Sequence, residues 1–217
     1  MEIKPISAVI FDLDGVIIDS MKVMEFAYHS ACEEVLKGQP YPPFSEYCRY
    51  LGRSLPEILR ILDLPQEIRP AFIECSYQNI HRIPVYDGVG ELLSVLWENK
   101  IPMAIATGKE YERTMTILRD KSIAHYFDMV LCSDKVPRPK PSPDMANIII
   151  EKLNLTPENC VFVGDAAADM LCGKGAGTQT ALAMWGKPDA SALAESSDYR
   201  LKTPLDLLNH MELACYV

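Results

Sequence analysis

The sequence predicts an α/β protein, with a doubly wound parallel sheet of Rossmann-like form and a small all-helical domain inserted after the first strand. Three observations carry this. A short apolar run, Ala8-Val9-Ile10-Phe11, leads straight into Asp12, Leu13, Asp14 and Gly15, and such a run reads as a strand covered on both faces. Residues 20–82 then place apolar side chains at helical spacing and show no strand pattern. From Asp87 onward strand-like and helix-like segments alternate, as they do when parallel strands are joined by helical crossovers. The expected division is residues 1–19 and 83–217 for the α/β core and 20–82 for the helical insert.

Taken in order, Met24, Ala27, Tyr28, Ala31, Val35 and Leu36 mark the first helix, with Asp19 or Ser20 as its N-cap and Gly38 as its stop. The stretch 38–43, GQPYPP, is loop by its own turn chemistry. A short helical piece reaches Leu51, Gly52 and Arg53 turn, and Ser54 with Glu57 reads as a capping box opening a helix to about 62. Pro65 opens another helical stretch to about 81. In the core, a helix over 88–98 precedes a strand at 101–106, which finishes at Thr107-Gly108. A helix over 109–121, a strand at 129–132, a proline-rich segment at 136–144 and a helix to about 153 come next. The fourth strand, 160–164, ends at Asp165, and a helix runs on to about 175. The fifth strand is 178–184; the tail holds a short helix near Ser191, an edge strand at 199–201 and a last helix over 205–213.

The chain's 217 residues, 48% of them hydrophobic, suffice for one full core and a small second domain. A net charge of −9 argues against broad binding to nucleic acid or an anionic membrane, since phosphate contacts need clustered Lys and Arg. No apolar run approaches the roughly 20 residues of a spanning helix, and MEIKPISAVIF has neither a basic leader nor a small-residue cleavage site. The seven cysteines are scattered, with no CxxC pair. Neither a zinc site nor a disulfide framework is expected, and a reducing cytoplasm fits. The four histidines show no metal-ligand spacing.

In doubly wound sheets ligands bind at the carboxyl ends of the strands. Here those ends carry Asp12 and Asp14, Thr107 and Gly108, Lys140 beyond the third strand, and Asp165. An unpaired carboxylate is costly at the end of a buried strand, so something cationic is expected beside Asp12 and Asp14. Carboxylates gathered from several strands suit Mg²⁺, which takes oxygen ligands and shares its shell with phosphate. Asp12 and Asp165 can each give one oxygen and the Asp14 backbone carbonyl another. A lysine can neutralise a phosphate as a point charge, and a threonine hydroxyl with neighbouring N–H groups can hold transferring oxygens. One aspartate can attack phosphorus and a second can move the protons. In the helical insert, Arg53 comes after Gly52 and leads into a capped helix, where its guanidinium can reach a second anionic group of a substrate. Lys109, just after Thr107-Gly108, is a further candidate to line the cleft.

FDLDGVIIDS, IATGK, PRPKPSPD and VGDAAADM, in that order, resemble the four motifs of the haloacid dehalogenase (HAD) superfamily. The resemblance covers nearly the whole chain and implies a HAD-like core in which the helical insert is the family's small cap. It puts Asp12 in the nucleophile position and Asp14 in the acid/base position. Thr107 and Lys140 fall in the second and third motifs, Asp165 at a metal ligand, and Asp169 beside it as a supporting acid at the metal site. The chain is similar to the phosphoglycolate phosphatase and β-phosphoglucomutase branch, and ATGK with VPRPKPSPD also resembles phosphatases encoded with aminohydroxybenzoate biosynthesis. The activity that this resemblance implies is that of a Mg²⁺-dependent phosphatase, which hydrolyses a small phosphorylated metabolite through an aspartyl-phosphate, as a monomer or homodimer. A sugar-phosphate mutase is the alternative on the same core. A dehalogenase needs neither Asp14 nor the Asp165/Asp169 pair, and a non-catalytic relative would lack a motif residue.

Overall fold

The computed structural model describes residues 5–186 and 197–212. The expected helix near Ser191 and the end of the last helix at Leu213 lie outside the described residues. Six parallel strands form one sheet: β1 (Ala8–Phe11), β2 (Met103–Thr107), β3 (Met129–Cys132), β4 (Cys160–Gly164), β5 (Gln179–Ala183) and β6 (Tyr199–Leu201), in the order β3-β2-β1-β4-β5-β6. The chain winds one way from β1 through β2 to β3, then crosses back to β4 and on to the other edge. The winding therefore reverses between β1 and β4, and a crevice opens at the carboxyl ends of strands beside such a switch point.

Strand alternation explains how the sheet is covered. Val9 and Phe11 of β1 share one apolar cluster with Ile105, Val161, Val163, Leu93 and Ile117. Ala8 and Ile10 face the other way, with Ala104, Phe162, Met145, Ile149 and Cys172. Every residue of β1 is therefore buried, which is why the run reads as apolar throughout rather than alternating. Helices α5 (Val89–Glu98) and α6 (Tyr111–Asp120) supply the first face; α7 (Asp144–Lys152) and α8 (Ala167–Gly175) supply the second.

Between β1 and α5 come α1 (Met21–Leu36), α2 (Phe44–Tyr47), α3 (Leu55–Ile61) and α4 (Ile68–Gln78). They bury a cluster of their own, including Tyr28, Phe44, Tyr47, Leu59, Ile68 and Phe72, distinct from the two sheet clusters. The two strands of chain joining this helical cap to the core run side by side. Asp19 N–H donates to the Pro84 carbonyl at 3.0 Å, Tyr86 N–H donates to Ile17 at 3.1 Å, and Ile18 bridges Val85 antiparallel.

Three local expectations are corrected. Ser20 stands at the start of α1 but makes no side-chain cap, because its hydroxyl donates to Asp14 instead; Asp19 Oδ1 accepts from Met21 N–H at 3.3 Å. Ser54 and Glu57 form no capping box, because the Arg53 guanidinium takes the Glu57 carboxylate, and a charged donor outcompetes a backbone N–H. The segment expected as the last helix is a 3₁₀ helix, Pro204–His210.

Candidate active site

The site starts at the end of β1. Asp12 N–H donates to the Val163 carbonyl at 2.9 Å, so pairing with β4 extends to the aspartate itself. That fixes its carboxylate beside Asp165, which comes directly after the last residue of β4. Gly15 turns the chain away with φ +78°, and a Cβ there would lie 2.2 Å from Asp165 Oδ2. Only glycine lets the two strand ends come this close.

Lys140, brought in by the loop between β3 and α7, is fully buried, with Nζ 2.9 Å from Asp12 Oδ1 and 2.6 Å from Asp169 Oδ1. Asp12 Oδ1 also accepts from Leu13 N–H at 2.7 Å. The other Asp169 oxygen accepts Ala166 N–H at 3.0 Å, at the start of α8. A Cβ on Gly164 would meet that of Asp169 at 2.2 Å, so this packing also depends on a glycine.

Oxygens of Asp12, Asp165 and Asp169 lie within 4.8 Å of one another, all in buried residues. Burial, with the nearby Asp169, Asp165 and Asp14 carboxylates, pushes the Asp12 carboxyl up to about 8 against the pull of Lys140. Burial works against the charged Lys140 ammonium too, but Asp12 and Asp169 outweigh it and raise its pKa. Lys140 faces a cluster of carboxylates, so negative charge is left over on an all-oxygen donor set. That donor set fits a hard divalent cation such as Mg²⁺.

Asp14 looks elsewhere. Its carboxylate accepts the Ser20 hydroxyl and pairs with Lys109 Nζ at 3.1 Å. Burial opposes its charge, yet Lys109, Ser20 and Arg113 prevail and hold its carboxyl below the ordinary range. The Asp14 side chain therefore stands apart from the three clustered carboxylates; only its backbone carbonyl is left for the ligand role expected of it.

Thr107 is buried at the end of β2, and its Oγ1 accepts Lys109 N–H at 3.3 Å. A Cβ on Gly108 would sit 2.4 Å from the Arg53 carbonyl oxygen, and one on Gly52 would sit 3.2 Å from the Cβ atoms of Ala166 and Ala168. The Gly52-Arg53 loop of the cap thus lies on the ends of β2 and β4 together.

Cap and core bound a narrow cleft of about 40 Å³. Its floor is Asp12, Asp14, Thr107, Gly108, Lys109 and Asp165; Arg53, Met24, Tyr47, Ile58 and Phe72 come from the cap. Lys140 and Asp169 do not line it; they sit behind Asp12. Of the residues singled out in the sequence, the fold brings Asp12, Asp14, Thr107, Gly108, Lys109, Asp165 and Arg53 to one cleft and sets two in support. Sequence reasoning gave Ser20, read as a helix cap and hinge position, no place at the site, and it missed Arg113, which lines the cleft with 4% of its surface exposed. Arg113 lies in the first turn of α6, close after Thr107-Gly108-Lys109, and that nearness to the end of β2 was its one signal in the sequence.

A family profile described as haloacid dehalogenase-like hydrolase matches residues 9–183. The chain belongs to the haloacid dehalogenase-like hydrolases. A phosphoglycolate phosphatase of Aquifex aeolicus is 30% identical over 209 residues, covering 94% of this chain and 96% of that protein. A pyrophosphatase, PpaX, of Listeria welshimeri is 29% identical, covering 94% of this chain and 95% of that one. Among solved structures, a hydrolase from Pseudomonas syringae superposes with a TM-score of 0.80 at 24% identity, over 94% of this chain and 97% of its own. This likeness concerns the fold. Among the described residues no helix is long and apolar enough to cross a membrane.

Proposed function

We propose that this haloacid dehalogenase-like hydrolase is a Mg²⁺-dependent phosphatase that cleaves a small phosphate monoester through an aspartyl-phosphate on Asp12. The observation that carries the reading is the juxtaposition of Asp12 and Asp165 at the switch point, with Lys140 behind them and Asp14 held apart by its own partners. Asp12, Asp165 and the Asp14 carbonyl would hold the ion, with Asp169 in support. When bound, Mg²⁺ offsets the charge of the phosphoryl oxygens.

Asp12, whose ionised form a bound cation would favour, attacks phosphorus opposite the leaving oxygen, forming the Asp12 Oδ–P bond as the P–O ester bond breaks. Asp14, ionised at rest, takes up a proton from solvent as the substrate binds and passes it to the leaving alkoxide. In the second half, Asp14 takes a proton from the water that attacks the aspartyl-phosphate, and phosphate leaves as the Asp12 carboxylate is regenerated. The resting ionised state of Asp14, held by Lys109 and Ser20, suits this second half. The Thr107 hydroxyl and the Gly108 N–H offer donors to the phosphoryl oxygens. Lys140 holds Asp12 in place from below and limits the build-up of negative charge around it. The cap's apolar wall keeps bulk water from the intermediate until the leaving group departs.

The phosphoglycolate phosphatase and pyrophosphatase relatives favour water over a sugar hydroxyl as the acceptor, so hydrolysis is preferred to the mutase alternative. The described cysteines form no disulfide, which supports a reducing compartment such as the cytoplasm. The test is Mg²⁺-dependent phosphate release from a panel of phosphorylated metabolites by the wild type and Asp12→Asn. Release by the wild type and its loss in the variant is the expected result; undiminished turnover in Asp12→Asn refutes the nucleophile assignment.

A further inference from the structure

Arg113 is unusual among the cations of this protein. It is 4% exposed, lines the cleft, and its guanidinium lies 5.5 Å from the ring centroid of Phe72 in the cap. Nη2 lies 3.0 Å from Glu110 Oε2, yet Nε and Nη1 have no hydrogen-bond partner. Buried guanidinium donors are normally all satisfied, by carboxylates above all.

The surrounding charge points the same way. Lys109, four residues earlier and just before α6, is buried and lines the same cleft. Arg69, from the cap, lies 3.4 Å from Glu110 Oε1. Lys109, Arg113 and Arg69 thus face two carboxylates, Asp14 and Glu110, which leaves one positive charge over on this wall. Arg53 adds none, because Glu57 takes its charge. Neither Glu110 oxygen makes a hydrogen bond of good geometry, so Glu110 does not saturate the arginine.

We propose that Arg113, with Lys109, forms a subsite for a second anionic group on the substrate, a carboxylate or a second phosphoryl group carried on the leaving portion of the phosphate ester. This rests on the phosphatase reading and narrows it to a substrate class. It also moves the second-anion role from Arg53, the residue the sequence suggested, to a buried arginine on the core side. Phe72 stacked over the guanidinium and Arg69 on Glu110 bring the cap down onto this subsite. Recognition of the leaving portion is therefore built when cap and core are together.

The test separates binding from turnover. Calorimetric titration of the wild type and Arg113→Met with Mg²⁺ uses non-hydrolysable phosphonates: phosphonoacetate and 3-phosphonopropionate carry a carboxylate, methylenediphosphonate carries a second phosphoryl group, and ethylphosphonate carries neither. Charge-assisted hydrogen bonds of this kind correspond to about 10- to 100-fold in affinity. At least one of the doubly anionic probes is expected to bind the wild type ~10-fold or more tighter than ethylphosphonate, and Arg113→Met should erase most of that difference. Which probe gains identifies the second group. Arg113→Lys, which keeps the charge, should retain part of the preference and serves if the methionine variant does not fold. Equal binding of all four probes by the wild type, or a preference that survives in both variants, overturns the subsite. A parallel assay compares phosphate release from 2-phosphoglycolate and 2-hydroxyethyl phosphate. Hydrolysis of both with no binding preference leaves the phosphatase standing and removes the subsite. A binding preference without hydrolysis of either does the reverse.

Discussion

Replacing Lys140 by methionine tests the electrostatic core of the site. The side chain is fully buried and Nζ touches both Asp12 and Asp169. Methionine fills similar space without charge, so the loss is electrostatic rather than a cavity. Removing one partner of a buried ion pair costs about 3–5 kcal/mol. For a chain of this size each kcal/mol moves the melting temperature by about 2–4 °C, so Lys140→Met should melt roughly 6–20 °C lower in EDTA at pH 7.5. The raised Asp12 pKa limits the damage, because Asp12 already holds much of its proton at pH 7.5 and is pushed further up once Lys140 no longer pulls it down. Saturating Mg²⁺ should recover part of the loss by bringing positive charge back to the carboxylates and by binding only the folded state. Asp169→Asn removes the second partner, and the double variant should lose about 1–3 kcal/mol less than the sum of the singles. The assay is thermal unfolding of the four proteins with and without Mg²⁺. A Lys140→Met melt within 2 °C of wild type, or strictly additive losses, refutes the account of Lys140 as the cation that makes this cluster tolerable.

The same geometry sets other outcomes. Because the folded Asp12 carboxyl sits near 8 rather than at its ordinary 3.8, folding holds its proton; the stability this gives is complete below about 4 and lost as pH rises through about 8. The metal-free enzyme should therefore lose thermal stability from Asp12 between about pH 4 and pH 8, and Asp12→Asn should flatten that slope; a parallel slope in the variant removes Asp12 as its source. Lys109→Met removes the cation that most depresses Asp14, so whichever limb of the pH–rate profile Asp14 controls should move to higher pH; an unmoved profile assigns that limb to another group. Gly108→Ala sets a methyl 2.4 Å from the backbone oxygen of Arg53, and backbone yields less readily than a side-chain tip. It should raise KM by about 10-fold or more through the displaced cap loop, and an unchanged KM would show that the loop's seat on β2 is dispensable.

Much of the fold was legible because its signals are local. Ala8–Phe11, Met129–Cys132 and Cys160–Gly164 are short, apolar and bounded by turn residues, and their limits match those expected from the sequence. The capping expectations failed for a reason sequence does not carry. Ser20 and Ser54 each have a backbone N–H within local reach, but tertiary neighbours decided otherwise: Asp14 takes the Ser20 hydroxyl, and Arg53 occupies Glu57. Spacing alone also could not tell that Lys140 lies under Asp12 rather than in the cleft wall, since that depends on how a loop between β3 and α7 enters the core.

The sequence by itself determined which residues arrive at the carboxyl edge of the sheet, because strand ends and parallel order are set by apolar runs and their punctuation. It also carried the family, through four motifs in order. Only the tertiary structure decided how the charges pair. Asp12 and Asp14, two positions apart, belong to different networks, one with Lys140, Asp165 and Asp169 and the other with Lys109 and Ser20. Electrostatic partnership depends on distances of a few ångströms in a low-dielectric interior, and those are set by how β1, β4 and the cap pack. The same packing turned Arg113, an ordinary helix residue in the sequence, into a buried cation with donors to spare.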